Sequence, residues 1–212
     1  MVTVKTDVRK SLDSYRARRG EFRLVEVPPL RYLAVDGHGD PNTSPGYARA
    51  LEVLYPLAYA LKFASRAELG RDYVIPPLEG LWWAADMAVF TRERDKSAWD
   101  WTMMLMTPHW LGAEHVAAAR ESVAARKPSL PVERVRVEVL DEGLCAQTLH
   151  IGSFDAEGPV LDDLHTRFVP EQGLVMRGKH HEIYLSDPRR TAPDRLRTIL
   201  RQPVGPARPE RA

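Results

Sequence analysis

The feature that most constrains the fold is a change of hydrophobic period that recurs in the same order in both halves of the chain. Alternating apolar residues predict strands, and apolar residues spaced three or four apart predict helices. In the first half the predicted strands lie at 22–27, 30–35, 73–75, 81–89 and 99–106, and the helices at about 44–66 and 113–127. In the second half the strands lie at 132–140, 144–151 and 179–185, and the helix at about 155–168.

The halves also share a short sequence echo. The tripeptide VEV at 25–27 is followed by Leu30 and Gly37, and the same tripeptide at 137–139 is followed by Leu144 and Gly152. The echo coincides with the shared strand–strand–helix–strand order. Together they predict a pseudo-duplicated α+β fold.

The length of 212 residues fits one large domain or two small halves that share a core. No internal linker is long enough to separate two independent domains. We therefore expect a surface segment with a short helix at 1–21, a single domain at 22–204 with halves at about 22–127 and 132–204, and a disordered tail at 205–212.

Charge and cysteine content exclude several functional classes. Thirty Lys and Arg residues against 29 Asp and Glu residues give a net charge of +1, which argues against direct nucleic-acid binding. The single cysteine, Cys145, rules out an intramolecular disulfide, and its place in an alternating strand predicts a buried, inert thiol. No apolar stretch is long enough for a signal peptide or a membrane span. We expect a cytoplasmic monomer or homodimer with no membrane partner.

The tryptophans are concentrated in one part of the chain. All five fall within 29 consecutive residues, at positions 82, 83, 99, 101 and 110. Trp82 and Trp83 are adjacent on a predicted strand and must point to opposite faces. A core needs at most one of this pair. The other could lie at a partner interface, or it could line a cleft for a flat aromatic ligand, and we expect at least two tryptophans to line such a cleft.

A second candidate feature is the strand at 179–185. Its alternation places His180, Glu182 and Tyr184 on one face. Glutamate is uncommon inside strands, so Glu182 lies either on a solvated face or in a pocket. In an apolar pocket the pKa of this carboxyl would rise, and the group could act as a base or proton donor near neutral pH.

Two other polar patterns are weaker candidates for a functional site. The adjacent histidines, His180 and His181, lack the spacing and the additional ligands of a zinc site, so we expect no bound metal. The arginines at 189, 190, 195, 197 and 201 are interleaved with acidic residues. We interpret them as a solvated face.

Three motifs resemble the GyrI-like small-molecule-binding family: DGHGDPN at 36–42, PLEGLWW at 77–83 and GKHHEIYLSDPRR at 178–190. The likeness extends over about 5–204. It implies two strand–helix–strand–strand modules that form an antiparallel sheet, with helices on one face and a central ligand cleft. The family includes effector domains of multidrug-responsive regulators, gyrase inhibitors and stand-alone binding proteins. A subset similar to this chain hydrolyses cyclopropane-bearing, DNA-alkylating genotoxins of the yatakemycin type.

The resemblance implies a cofactor-independent hydrolase that opens a cyclopropane ring by adding water, in detoxification or drug resistance. The family's pocket glutamate matches Glu182, which would orient or deprotonate the water, and Tyr184 or Tyr73 would donate to the substrate oxygen. The remaining expected ligand contacts are Trp82, Trp83, Trp101, Trp110, Tyr55, Glu79 and His180. The alternative is a non-catalytic protein that sequesters planar aromatic or cationic drugs, or a gyrase-inhibitor-like protein-interaction module.

Overall fold

The computed structural model describes residues 5–85 and 95–207, which group into two compact units. Unit 1 comprises the described residues of 1–12 and 30–140, and unit 2 comprises those of 13–29 and 141–212. The strands are β1 Arg23–Val27, β2 Leu30–His38, β3 Leu78–Trp83, β4 Asp100–Met106, β5 Arg136–Leu140, β6 Gly143–Ile151, β7 Leu174–Met176, β8 His180–Tyr184 and β9 Arg197–Pro206. The longer helices are α1 Pro45–Leu69 and α2 Ala113–Arg126. A third helix, α3, begins at Gly158–Asp162, continues through a π-helical segment at Asp163–Phe168 and ends at Val169–Glu171.

Unit 1 is an antiparallel sheet in the order β3-β4-β2-β5. Helix α1 packs on β2 and β4 and against α2. It begins after Ser44 with Pro45 at its first position, where the missing N–H costs nothing, as predicted. It ends at Gly70, whose positive φ of 63° suits glycine.

Unit 2 is an antiparallel sheet in the order β1-β6-β9-β8, with β7 paired to β9. Helix α3 covers one face of this sheet. Leu164 and Val169 of the helix pack against Ala146 of β6 and Val204 of β9 in a buried apolar cluster.

The predicted α+β duplication is confirmed. A strand–helix–strand–strand module occurs in unit 1 as β2-α1-β3-β4 and in unit 2 as β6-α3-β8-β9. In each module the first strand pairs with the last. The two VEV segments lie in β1 and β5, which add a further strand to the first strand of a module: β1 pairs with β6, and β5 pairs with β2. Each of these edge strands therefore belongs to the unit formed mainly by the other half of the sequence.

Several predicted boundaries are wrong. Residues 73–75 form one isolated bridge, Tyr73 to Thr6, rather than a strand, because Pro76 and Pro77 follow at once. Strand β3 begins at Leu78 and ends at Trp83, and 86–89 of the predicted strand lie outside the described residues. The N-terminal helix is replaced by two 3₁₀ turns, Val8–Lys10 and Asp13–Tyr15.

The second half contains two further differences. The segment expected to be a strand at 132–140 starts with a 3₁₀ turn at Val132–Arg134. The strand at 179–185 is not the last of the chain, because β9 follows it and continues to Pro206. Within the described residues, none of the helices is both long and apolar enough to cross a membrane.

Candidate active site

Strand β8 brings Glu182 and Tyr184 into direct contact. The Tyr184 hydroxyl donates to Oε2 of Glu182 at 2.7 Å, and Nε2 of His180 lies 3.6 Å from Oε1 of the same carboxylate. Residues two apart on a strand point to the same face, which is why the sequence predicted this grouping. The side chains of His180 and Glu182 are only 9% and 13% exposed. The carboxylate is therefore shielded from bulk water but still accessible.

Two aromatic residues from neighbouring segments complete this group. The His165 ring, in the π-helical segment of α3, meets the His180 ring edge-on at 6.0 Å between centroids. The Phe154 ring meets the Tyr184 ring in the same way at 5.6 Å, and Phe154 is 40% exposed. We call His180, Glu182, Tyr184, His165 and Phe154 the β8 cluster. Sequence analysis missed His165 and Phe154, which carry no motif of their own.

Burial controls the charge of His165. Its surroundings remove solvent, and the neighbouring His180 adds a repulsive charge, so the pKa of His165 falls to about 4. The imidazole is neutral at physiological pH. It can therefore accept a hydrogen bond at one nitrogen and donate at the other.

A second carboxylate lies in unit 1. Glu79 on β3 is fully buried and accepts a hydrogen bond from the hydroxyl of Tyr32, also fully buried, at 3.2 Å. The strand register places Glu79, Leu81 and Trp83 on one face of the sheet. A carboxylate–tyrosine pair therefore occurs in each module, Glu79 with Tyr32 in unit 1 and Glu182 with Tyr184 in unit 2.

Trp82 and Trp83, which are adjacent on β3, lie on opposite faces of the sheet, as predicted. Trp82 stacks on Tyr47 of α1 at 6.5 Å, and Trp101 meets the same ring edge-on at 5.4 Å. Both tryptophans are at most 5% exposed and contribute to the contact between helix and sheet. Trp83 lies on the opposite face, with Glu79. The packing therefore gives Trp82 and Trp101 a structural task in the core of unit 1.

Three other predicted site residues lie at or near helix α1. Trp110 donates from Nε1 to the hydroxyl of Ser65 at 3.0 Å, and its ring meets Tyr73 edge-on at 6.1 Å. Lys62 donates to the Tyr73 carbonyl and to the Asp72 carboxylate. Burial and the Asp72 charge raise the pKa of Tyr73 well above its usual value, so the phenol keeps its proton. Tyr55 is half-buried on α1.

The interpretation of Arg201 as a solvated residue is wrong. Arg201 is fully buried on β9, where Nη1 donates to Glu142 at 3.0 Å and Nη2 donates to the Ser14 carbonyl at 2.7 Å. Nδ1 of His181 lies 2.9 Å from the other Glu142 oxygen. Burial alone would raise the pKa of Glu142, but His181 and Arg201 outweigh it and lower the pKa to about 2. The position of Arg201 directly after the apolar pair Ile199 and Leu200 was the sequence signal for this network.

Cys145 is buried and inert, as predicted. It is completely shielded from solvent, and burial together with the Glu142 charge raises its thiol pKa to about 12. In the part of the chain that the structure describes, no three His, Cys, Asp or Glu side chains are arranged to hold a metal ion.

The family model of the GyrI-like small molecule binding domain matches residues 20–204. The chain belongs to the GyrI-like family. A crystal structure of an uncharacterized conserved protein from Listeria innocua shares 35% identity with it and superposes with a TM-score of 0.86. Two structures described as hydrolases from the same organism share 34% and 35% identity, each with a TM-score of 0.82. All three matches cover 95% of this chain and 100% of the other. No curated protein sequence gives a significant match.

Proposed function

We propose that this GyrI-like protein is a small-molecule hydrolase in which Glu182 activates water. The observation that carries the proposal is the hydrogen bond of 2.7 Å from Tyr184 to the shielded Glu182 carboxylate. In a water addition, the carboxylate can take a proton from the attacking water, and the hydroxyl can donate a proton to the substrate oxygen. The similar Listeria innocua proteins described as hydrolases support an enzymatic role.

The proposed substrate class is a spirocyclopropane conjugated to a dienone, as in yatakemycin-type genotoxins. Glu182 takes a proton from water while the water oxygen bonds to a ring carbon. The ring carbon–carbon bond breaks, and its electron pair moves through the dienone to the carbonyl oxygen. That oxygen takes the Tyr184 proton and becomes a phenol, and Tyr184 regains a proton from Glu182 through their hydrogen bond. The net change is the addition of one water.

Ring strain and the gain of aromaticity supply the driving force for this step. The protein needs to orient water, hold the flat substrate and stabilise the developing charge on oxygen. The exposed ring of Phe154, packed against Tyr184, offers an apolar contact beside the reacting groups.

Accessibility favours Glu182 over Glu79 as the base. The Glu182 side chain retains 13% exposure, whereas Glu79 has none. The direct test replaces Glu182 with glutamine, which preserves the volume and removes the basicity. We expect turnover of a synthetic spirocyclopropane dienone to fall roughly 10²–10⁴-fold while its affinity stays nearly constant. Glu26→Gln, at an exposed glutamate on β1, is the matched control and should retain parental turnover.

Glu79 supports a second candidate function, the binding of cationic aromatic drugs without turnover. A carboxylate held by Tyr32 on the face that carries Trp83 has the chemistry to pair with a desolvated cation, provided that the ligand displaces the side chains that bury Glu79. In that case Glu79→Gln weakens a cationic aromatic probe, rhodamine 6G, by at least tenfold, and neither glutamate variant has a catalytic phenotype. Mass spectrometry of the dienone reaction separates the two functions.

A further inference from the structure

The β8 cluster contains imidazole nitrogens that the protein does not satisfy. Nε2 of His165 and both ring nitrogens of His180 are buried, and among the described residues none of them has a hydrogen-bond partner. Buried polar groups are nearly always paired with protein or an ordered molecule. Each of these nitrogens needs a partner, which is a hydrogen-bond donor where the nitrogen carries no proton and an acceptor where it does.

The backbone of α3 gives a second, independent indication. The helix changes to π-helical geometry over Asp163–Phe168, the segment that carries His165. π-helical turns are rare and occur often at functional sites. Here the turn sets the His165 ring edge-on to His180, 6.0 Å away, and buries its Nε2. Arg167, in the same turn, is bound to Asp163 and Glu171 on the exposed side, which holds the segment in place.

We propose that His165 and His180 form a subsite for a neutral hydroxyl group of an aromatic ligand, such as a phenol. A phenol supplies the missing donor and acceptor on one oxygen atom, and its ring can contact Phe154. This inference rests on the proposed function, because water addition to a dienone creates a phenol at the reacting end of the molecule. The two histidines would then act as positioning residues beside Glu182 and Tyr184.

Isothermal titration calorimetry with two probes tests the subsite. 2-Naphthol carries the hydroxyl, and 2-methoxynaphthalene lacks the donor. We expect the parent protein to prefer 2-naphthol by about tenfold, the effect of one or two net hydrogen bonds. His165→Phe and His180→Phe keep an aromatic ring but remove the nitrogens, and each should reduce the preference to below about twofold. The same exchange at the exposed His109 is the matched control and should leave the preference unchanged.

A measurement on the parent protein avoids any effect of the substitutions on folding. With ¹⁵N-labelled histidine, the ring-nitrogen signals of His165 and His180 should shift on addition of 2-naphthol and remain in place with 2-methoxynaphthalene. The proposal is overturned if the parent shows no preference or no binding, if either variant keeps the preference, or if the signals do not move. If the protein hydrolyses the dienone in a Glu182-dependent manner but shows no preference for 2-naphthol, the proposed function stands and only the histidine subsite is refuted.

Discussion

Replacing Glu142 with glutamine isolates the buried ionic network of unit 2. The Glu142 side chain is 3% exposed and contacts the fully buried His181 and Arg201 side chains at 2.9 and 3.0 Å. Glutamine keeps the shape but leaves Arg201 without its carboxylate. Removal of one partner from a buried pair costs about 3–5 kcal/mol.

The pKa of Glu142 gives an independent value for this loss of stability and predicts how the loss depends on pH. A carboxyl pKa of about 2 in the folded protein, against 4.5 when exposed, corresponds to about 3 kcal/mol of stability at pH 7. Because the folded pKa is the lower one, this contribution is complete well above pH 4.5 and is lost as the pH falls towards 2. The stability difference between parent and Glu142→Gln should therefore shrink to about 1.5 kcal/mol at pH 3.

Urea unfolding followed by far-ultraviolet circular dichroism measures both values. Tryptophan emission is unsuitable for this measurement, because all five tryptophans lie at 82–110 in unit 1, whereas Glu142 lies in unit 2. With a slope of about 2 kcal/mol per molar urea, the midpoint at pH 7 should fall by about 1.5 M. Asp141→Asn, at the exposed neighbouring carboxylate, should change stability by less than about 0.5 kcal/mol. A loss below about 1 kcal/mol at pH 7, or an equal loss at pH 3, would refute the reasoning.

Three further predictions concern packing, cooperativity and catalysis. A Cβ on Gly37 would lie 2.0 Å from the Trp101 ring, so Gly37→Ala should destabilise the protein by about 1–3 kcal/mol in thermal unfolding, whereas Gly205→Ala, with its nearest atom at 3.4 Å, should not. If 22–204 folds as one domain, unfolding transitions followed by tryptophan emission and by circular dichroism will coincide, and separated midpoints would contradict this expectation. Tyr184→Phe removes the donor to Glu182 and should lower dienone turnover roughly 10²–10³-fold; unchanged turnover would assign the donor elsewhere.

Local periodicity accounts for what the sequence predicted well. Alternation placed Glu182 and Tyr184 on one face and divided Trp82 from Trp83, because side-chain direction along a strand depends only on spacing. The duplicated module was also visible, since each helix is an amphipathic segment between strands. These features need no knowledge of distant contacts.

The features that sequence analysis missed depend on contacts between distant residues. Strand β9 was not predicted, because a charged residue, Arg201, interrupts its apolar residues. The Arg201 charge is paired with Glu142, 59 positions earlier in the chain. The π-helical segment has no pattern that distinguishes it from an ordinary helix, so His165 was not expected beside His180. The packing of Trp82 and Trp101 against Tyr47 of α1 was not predicted, because strand periodicity does not place a helix residue against a sheet.

The most direct test of the proposed hydrolysis is product analysis in water enriched in oxygen-18. The parent protein is incubated with a synthetic spirocyclopropane dienone, and the product is examined by mass spectrometry beside a reaction without protein and one with Glu182→Gln. The account predicts a ring-opened phenol with one labelled oxygen on the former cyclopropane carbon, formed roughly 10²–10⁴-fold more slowly by Glu182→Gln than by the parent. Unchanged dienone, or labelled product formed equally fast by Glu182→Gln, would contradict it.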